Sequence, residues 1–382
     1  MSRPLAIVVG FIGKQPIAGM AYYNIHYIVG LQELGYEVHF VERQNRPLEC
    51  YDPSVNDVTD SAEYALQFLA AVLPRFNVDR FSFIDRDDRC HGSGWEELKE
   101  AVRRADFVLT LADETWFDEL GLCKQRAFID GDPMITQIGM LNEDPHILLA
   151  IRNYPVLFSC ATRMGEPDCT VPALGREWLP SRPVVATSLW DETPATDNSP
   201  ITNVMLWSGK DMLLNGKVYG HKSREFERFL ELPQKTAQTF ALAVGGKKAP
   251  REVLRRNGWR LLDPLEQTGT LDSYQAFIKH SRADFGVAKH AYAASRSGWF
   301  SDRSTCYLAA GRPVLHQDTG CGDWLPTGNG VFLFSEIEDV LEAIDIMNAD
   351  YQHHARAARQ VAQEHFEARK VLGHMLDDIG FR

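Results

Sequence analysis

The stretch GWFSDRSTCYLAAGRPVLHQDTG, residues 298–320, contains a predicted helix, a glycine stop and a buried strand in immediate succession. Residues 303–311 form the helix and end in a glycine, which is typical of a helix C-terminus. Residues 312–318 follow as the strand. Asp302 or Ser301 is expected to cap the start of the helix. A helix that leads directly into a buried strand is a repeating unit of parallel α/β sheets.

The first turn of this helix is a candidate anion site. Ser304 and Thr305 lie there, where free backbone N–H groups and the positive end of the helix dipole suit a pyrophosphate. Arg303 would add a charged hydrogen-bond donor. The same pattern equally suits a capped core helix with Ala309 and Ala310 packed against a sheet. The segment alone therefore leaves both interpretations open.

Buried strands and helices alternate on both sides of this stretch. Residues 5–10 are a continuous apolar run, as expected for a strand that is covered on both faces. A predicted helix and a second strand at 36–43 follow. From residue 203 onward, a second series of the same kind begins with the strand NVMLWSG. Two successive βαβ series predict two parallel sheets, each in its own domain.

The chain of 382 residues is long enough for two domains, each with its own core. The polar stretch ETPATDNSPIT separates the two series and is the predicted linker. A proline-rich segment, 178–191, is expected to cross the surface. The predicted boundaries are an N-terminal Rossmann-like acceptor domain at 1–191, a linker at 192–202, a C-terminal Rossmann-like donor domain at 203–350 and a terminal helix at 351–382.

Two segments resemble GT-B glycosyltransferases. Residues 308–320, LAAGRPVLHQDTG, resemble their EAMACGKPVIA…GG segment, and residues 7–42 resemble their opening pattern P.GG…H…GheV. The resemblance covers nearly the whole chain. It implies an α/β protein of the GT-B fold, in which two Rossmann-like domains face each other across a cleft and a C-terminal helix crosses back. Cys306 stands where these families carry a glutamate, Asp302 is the candidate replacement, and their E-x7-E motif is absent.

In the resembling enzymes, the helix matched by 303–311 lies on a nucleotide sugar, and the loop after the next strand lies near the sugar. Glycines approach the donor phosphates, and cations contact the diphosphate. Carried onto this sequence, the resemblance implies donor-binding roles for Gly19, Gly209, Lys210, Gly245, Gly246, Lys289, Asp302, Arg303, Ser304, Thr305, Asp318, Thr319 and Gly320. Lys217 is a further candidate for the diphosphate. Each of the lysines would also suit a solvated surface.

Candidate catalytic residues lie where predicted strands of the N-terminal half end. Asp113 ends one strand, and Asp130 and Asp132 end the next. A carboxylate at such a position could take the proton of an acceptor hydroxyl, or it could cap the following helix. His26, on the first helix, is a third candidate, since histidines near this loop act as bases in some inverting GT-B enzymes. A packed helix face explains it equally well.

Composition narrows the class of protein. The net charge of −12 argues against nucleic acid or an anionic membrane as the partner. Seven cysteines without a CxxC pair argue against a disulfide framework or a structural zinc site. No apolar run approaches the roughly 18 residues of a membrane helix. The sequence thus predicts a cytoplasmic protein without a membrane span, and with no metal site.

The predicted function is metal-independent transfer of a sugar from a nucleoside-diphosphate sugar to a hydroxyl acceptor. UDP is the expected nucleotide, no cofactor is expected, and the acceptor is expected to be a soluble small molecule or a glycan. A sugar-nucleotide epimerase or hydrolase and a non-catalytic nucleotide or glycan binder stay open. A DNA-modifying glucosyltransferase is disfavoured by the net charge. Glu42 ends the second strand where a ribose-binding acid would sit, which keeps a nicotinamide enzyme as an alternative. The oligomeric state is left unspecified.

Overall fold

The computed structural model describes residues 3–193, 195–196 and 198–381. In the N-terminal half, ten strands alternate with five helices. The strands are β1 (Leu5–Val9), β2 (Glu37–Arg43), β3 (Cys50–Asp52), β4 (Asp57–Thr59), β5 (Arg80–Ile84), β6 (Cys90–Gly92), β7 (Phe107–Leu111), β8 (Arg126–Asp130), β9 (Val156–Ser159) and β10 (Leu179–Pro180). The helices are α1 (Ala18–Glu33), α2 (Glu63–Val72), α3 (Gly94–Arg104), α4 (Ile135–Leu141) and α5 (Pro145–Asn153).

Eight of these strands form one sheet in the order β10-β9-β8-β7-β1-β2-β5-β6. All neighbouring pairs run parallel except β5 and β6. Every residue of β1 is buried, because helices cover both faces of the sheet centre. The remaining strands, β3 and β4, form a separate antiparallel hairpin.

The C-terminal half repeats the design with a second, fully parallel sheet. Its strands are β11 (Ile201–Leu206), β14 (Phe240–Gly245), β15 (Arg260–Leu262), β16 (Ala283–Gly286), β17 (Val314–Gln317) and β18 (Val331–Phe334), and a hairpin of β12 (Met212–Leu214) and β13 (Lys217–Tyr219) follows β11. The sheet order is β15-β14-β11-β16-β17-β18. Its helices are α6 (Lys222–Phe226), α7 (Arg251–Arg256), α8 (Pro264–Thr268), α9 (Leu271–Lys279), α10 (His290–Ala294), α11 (Asp302–Ala309) and α12 (Ile337–Ala349).

The end of the chain crosses from the second half to the first. Helix α13 (Tyr351–Val361) packs on α11, and helix α14 (Ala368–Asp378) packs on α1. A π-helical turn at Ala362–Phe366 separates them. The contact with α1 is close, since a Cβ atom on Gly30 would lie 2.7 Å from the Cβ atom of Ala368. The predicted GT-B architecture, with two Rossmann-like sheets and a helix that crosses back, is confirmed.

The proline-rich segment 178–191 does not cross the surface as predicted. The Val185 N–H donates to the Phe366 carbonyl at 2.8 Å, the Ala368 N–H donates to the Val185 carbonyl at 3.0 Å, and Trp190 is 1% exposed. The prediction was wrong because the apolar residues between the prolines pack between α1 and the terminal helices. The predicted linker also differs in part, since Ile201 and Thr202 already belong to β11. Linker positions 194 and 197 lie outside the described residues.

Candidate functional site

The carboxyl ends of the two sheets face each other, and side chains from both halves meet there. Asp132, which follows β8, accepts hydrogen bonds from the Lys289 ammonium and the Tyr292 hydroxyl of the C-terminal half. Nearby, the Thr162 hydroxyl donates to the Gly298 carbonyl at 3.0 Å. Ligands of open α/β sheets bind at this end of the strands. The junction of the two halves is therefore the candidate site.

Helix α11 enters this junction with its N-terminus, and its first polar side chains are bound to β16. The Arg303 guanidinium lies 3.2 Å from each carboxylate oxygen of Asp284, and the Ser304 hydroxyl donates to the same group at 2.6 Å. Asp284 is completely buried, so this pair fixes the start of the helix on the sheet. The Asp284 carboxylate also raises the pKa of the guanidinium, although burial opposes it. Phosphate contacts by these two side chains stay a prediction.

The rest of the first turn is held by the backbone. The Thr305 hydroxyl donates to the Asp302 carbonyl at 2.7 Å. Ser301 occupies the position before the helix, but its side chain makes no capping hydrogen bond, contrary to expectation. Burial raises the pKa of the Asp302 carboxyl, while the charges of Arg303 and Lys222 partly oppose this shift. The structure thus brings Asp302 beside two cations.

Lys222, the first residue of α6, is a cation that the sequence interpretation missed. Burial and the neighbouring charges of Arg303 and Lys289 lower its pKa to about 7, while the charges of Asp302 and Asp284 partly oppose this shift. Within the described residues, the Lys222 ammonium has no ion pair or side-chain hydrogen bond. Three cations therefore converge at the ends of β11 and β16, and the third lacks a bound carboxylate.

The predicted lysines of the preceding loop lie elsewhere. Lys210 is exposed, and Lys217 is exposed on β13, where its ammonium lies 3.4 Å from the Ala294 carbonyl. The hairpin of β12 and β13 lies between β11 and the helix that begins at Lys222. The sequence therefore does not show which helix follows the strand. A lysine as the first residue of a helix, soon after a strand, was the signal available in the sequence.

The predicted glycines lie at close approaches. A Cβ atom on Gly209 would lie 2.9 Å from the His221 ring, and Gly19 lies beside the Tyr274 hydroxyl of the other half. Gly246 has φ +98°, a left-handed conformation that favours glycine, and Gly245 precedes it at the end of β14. Their contacts with a donor stay predictions.

The loop after β17 contacts the N-terminal half. The Asp318 carboxylate accepts from the Gly320 N–H at 2.7 Å, and the Thr319 hydroxyl donates to the Trp299 carbonyl at 2.5 Å. Gly320 has φ +89°, and a Cβ atom there would lie 2.7 Å from Cδ of Arg163. The loop thus borders the junction, as its predicted place near a sugar requires.

Two of the predicted catalytic residues hold structural partners. Asp113 accepts from the buried Lys14 ammonium and from the Thr115 hydroxyl, each at 2.7 Å. Asp132 contacts Lys289 and Tyr292 as described above. Asp130 is buried and accepts from three side chains, those of Thr136, Gln137 and Ser159. A catalytic role for Asp113 or Asp132 stays a prediction, and in this arrangement cations already compensate both carboxylates.

His26 lies away from these carboxylates, between α1 and α11. Its Nδ1 accepts from the Ala186 N–H at 3.2 Å, and its Nε2 lies 3.5 Å from the Cys306 sulfur. Burial lowers the pKa of the imidazole to about 3, so the ring is neutral at physiological pH. The contacts of His26 are those of a packed residue, and its predicted role as a base stays untested.

Glu42 has a structural partner that bears on the nicotinamide alternative. Its carboxylate accepts from the backbone N–H groups of Gly13 at 2.6 Å and Lys14 at 3.0 Å. Both oxygens thus fix the loop after β1 and are not directed to a ribose. Burial raises the pKa of this carboxyl to about 7.

A third carboxylate at the ends of β7 and β8 was also missed. Burial raises the pKa of Glu114 to about 7, and the negative charges of Asp113 and Asp132 add to the shift, while Arg46 opposes it. In sequence Glu114 directly follows Asp113, and nothing in the pattern distinguishes the two. Only the contacts of Asp113 with Lys14 and Thr115 separate their environments.

The described part of the chain shows neither a metal site nor a helix that could cross a membrane. Across residues 3–193, 195–196 and 198–381, no group of three or more histidine, cysteine, aspartate or glutamate side chains is arranged to hold a metal ion. In the same ranges, no helix combines the length and the apolar character that crossing a membrane requires.

Solved structures match the chain over its full length. An alpha-glucosyltransferase in complex with UDP and a 13-mer DNA containing a central A:G mismatch matches with a TM-score of 0.60 at 10% identity, over 99% of this chain and 100% of that chain. Sucrose-phosphate synthase from Thermosynechococcus elongatus matches with a TM-score of 0.56 at 12% identity, over 99% of both chains. Anabaena HepE in complex with UDP and glucose matches with a TM-score of 0.58 at 12% identity, also over 99% of both.

These similarities establish the GT-B fold and no closer relationship, because the identities are low. No protein-family model matches the sequence, and no curated protein matches it either. Several matching structures contain DNA. The acidic net charge alone therefore does not exclude a nucleic-acid partner for this chain.

Proposed function

We propose that this protein is a glycosyltransferase that moves a sugar from a UDP-sugar to a hydroxyl acceptor. The residues 203–350 hold the donor in this proposal, and the residues 1–191 hold the acceptor. The observation that carries it is Lys222, a half-buried lysine that has no ion pair within the described residues and lies beside Arg303 and Lys289. Such a cluster of like charges is stabilised by an anion of high charge, and the diphosphate of a nucleotide sugar is one.

The chemistry follows from where the charge develops. When the bond between the sugar C1 and the diphosphate oxygen breaks, negative charge grows on the leaving group. Lys222, Lys289 and the N-terminal N–H groups of α11 stabilise that charge in a site with little water. The contact of Asp132 with Lys289 closes the two halves on each other, which favours transfer over hydrolysis.

UDP is proposed as the nucleotide because the matching alpha-glucosyltransferase and HepE structures contain it. The acceptor is proposed to be a soluble small molecule or a glycan. DNA is the acceptor to test against it, since several alpha-glucosyltransferase structures of this fold contain DNA, whereas this chain carries a net charge of −12.

The test is binding of UDP, GDP, TDP and CMP, with NAD and NADP as controls, measured by thermal shift and calorimetry. A ligand at 100 times its Kd should stabilise the protein by about 2.7 kcal/mol. We expect UDP to bind, and we expect Lys222→Met to weaken binding at least tenfold. Lys235→Met, which changes an exposed lysine of the same half, is the matched control.

Binding of UDP that survives Lys222→Met would contradict the proposed site. Stabilisation by NAD alone would contradict the proposed function. Incubation of the wild-type protein with UDP-glucose and either a glycan mixture or duplex DNA, followed by mass spectrometry, then identifies the acceptor class. A donor that binds without turnover on any acceptor would favour a non-catalytic binder.

A further inference from the structure

The proposed reaction needs a group that takes the proton of the acceptor hydroxyl, and three carboxylates of the N-terminal half border the junction. Asp113 is paired with Lys14, whose side chain is 2% exposed, and Asp132 is paired with Lys289 and Tyr292. Glu114, between them, has no ion pair or side-chain hydrogen bond to any residue that the structure describes. It is the one carboxylate of the three that is free to bind a hydroxyl.

The backbone holds Glu114 in place from both sides. Ala112 has φ +45°, a left-handed conformation that is unusual for a residue with a side chain, and it turns the chain sharply after β7. Lys14 fixes the preceding Asp113. On the other side, the Thr115 hydroxyl lies 2.7 Å from the Asn45 amide, and the Thr115 carbonyl accepts from the Tyr154 hydroxyl at 3.0 Å. A free side chain between two fixed neighbours is suited to bind a substrate.

The charges around Glu114 suit a proton acceptor. Asp113 and Asp132 disfavour its ionised form, Arg46 favours it, and burial raises the pKa of the carboxyl to about 7. A base works best when its pKa is near the working pH. Asp132, one of these neighbours, contacts Lys289, so the carboxylates border the cation cluster on which the proposed donor site rests.

We propose that Glu114 is the general base of the reaction. The inference rests on the proposed function. The acceptor oxygen forms its bond to C1 as the bond from C1 to the diphosphate oxygen breaks, and UDP leaves with that electron pair. The hydroxyl proton moves to a carboxylate oxygen of Glu114 and is later released to water.

The experiment compares wild-type protein with Glu114→Gln, which keeps the size of the side chain and removes its basicity. We expect kcat to fall about 10²- to 10⁴-fold, the usual range for a lost general base. UDP affinity should change less than twofold, because Glu114 belongs to the acceptor side. The wild-type kcat should rise with pH through about 7, because only the ionised carboxyl accepts a proton, and this limb should vanish in Glu114→Gln.

Two further variants separate chemistry from folding. Glu114→Asp keeps the carboxylate and should retain the acidic limb at a reduced kcat. Glu97→Gln, on the surface of α3, is the control for a lost glutamate charge and should behave as wild type. A normal kcat in Glu114→Gln would overturn the inference, as would an unchanged acidic limb in that variant.

The outcomes also distinguish the two proposals. If wild-type protein binds UDP and transfers sugar while Glu114→Gln is fully active, only the role of Glu114 fails. If wild-type protein binds and turns over no nucleoside-diphosphate sugar, the proposed function fails and this inference fails with it.

Discussion

The carboxyl ends of the two sheets are built alike but carry opposite charge. The N-terminal sheet ends in acidic side chains, and the C-terminal sheet is bordered by cations. In each half one charge is compensated from within, by Lys14 at Asp113 and by Asp284 at Arg303. Across the junction Asp132 pairs with Lys289, whereas Glu114 on one side and Lys222 on the other have no ion pair within the described residues.

The difference in charge indicates that two domains of similar architecture have different roles in the proposed sugar transfer. A sheet end with excess cations suits an anionic donor, because the developing charge of a leaving diphosphate needs compensation. A sheet end with excess carboxylates suits a neutral acceptor that gives up a proton. The compensated charges are structural, and the uncompensated ones are the candidates for chemistry. Four predictions test this division.

The largest effect is expected for Asp284→Asn. The pair of Asp284 and Arg303 lies in the core, with side-chain exposures of 0% and 9%. Removal of one charge leaves the other buried and unpaired, which costs about 3–5 kcal/mol of unfolding free energy. Urea denaturation measures it. Asp272→Asn breaks the exposed pair with Arg75 and should cost less than about 1 kcal/mol. Equal losses of unfolding free energy in Asp284→Asn and Asp272→Asn would show that burial does not determine the cost of breaking an ion pair.

Lys222→Met is expected to stabilise the folded protein, by less than Asp284→Asn destabilises it. Folding lowers the pKa of Lys222 from 10.5 to about 7, so between these pH values the unfolded chain binds this proton more readily. Wild-type stability should therefore rise with pH across that window relative to the variant. At pH 6 the variant should be the more stable by on the order of 1–2 kcal/mol. Denaturation at pH 6 and at pH 10 measures it, and a difference independent of pH would contradict the lowered pKa.

Asp132→Asn is expected to change the free energy of UDP binding by a smaller amount. Asp132 contacts Lys289, and a diphosphate bound to Lys289 competes with that carboxylate. Since Asp132 is 46% exposed, the contact contributes about 0.5–1 kcal/mol, and its loss should tighten UDP binding about twofold to fivefold. Calorimetry measures the change. Weaker UDP binding in the variant would mean that Asp132 helps to hold the donor.

The smallest effect is expected at the outer edge of the junction. Lys247 lies 3.9 Å from Asp57 of the hairpin β3–β4, but its side chain is 90% exposed. Lys247→Gln should change neither stability nor UDP affinity by more than about 0.5 kcal/mol. A larger effect in either measurement would extend the donor site to this edge.

Much of the fold was predictable because it depends on patterns that repeat. Apolar runs such as Leu5–Val9 predicted buried parallel strands, and the glycine after residues 303–310 predicted the end of a helix. The segment 178–191 was misjudged because its prolines indicate a loop, whereas its burial depends on helix α14, almost 200 residues later. Sequence distance hides such a contact from any local pattern.

The position of the candidate site was predictable from the sequence, but the residues that form it were not. Motif positions led to Arg303, yet the fold binds that side chain to Asp284. The cation without a partner is Lys222, which a hairpin insertion separates from the strand before it. In the same way, Asp113 and Glu114 are neighbours in sequence, and only the buried Lys14 makes them different. Pairing between distant side chains decides which charge is free, and no single segment contains that information.

The crossing of the last helix has a consequence for how the chain folds during synthesis. The ribosome releases the N-terminal sheet first, and the helix that covers α1 emerges only after both sheets. Until then, the apolar groove into which Ala368 and Leu372 fit beside Gly30 is open to solvent and to other chains. The half that is made first is thus completed only after the second half has been made.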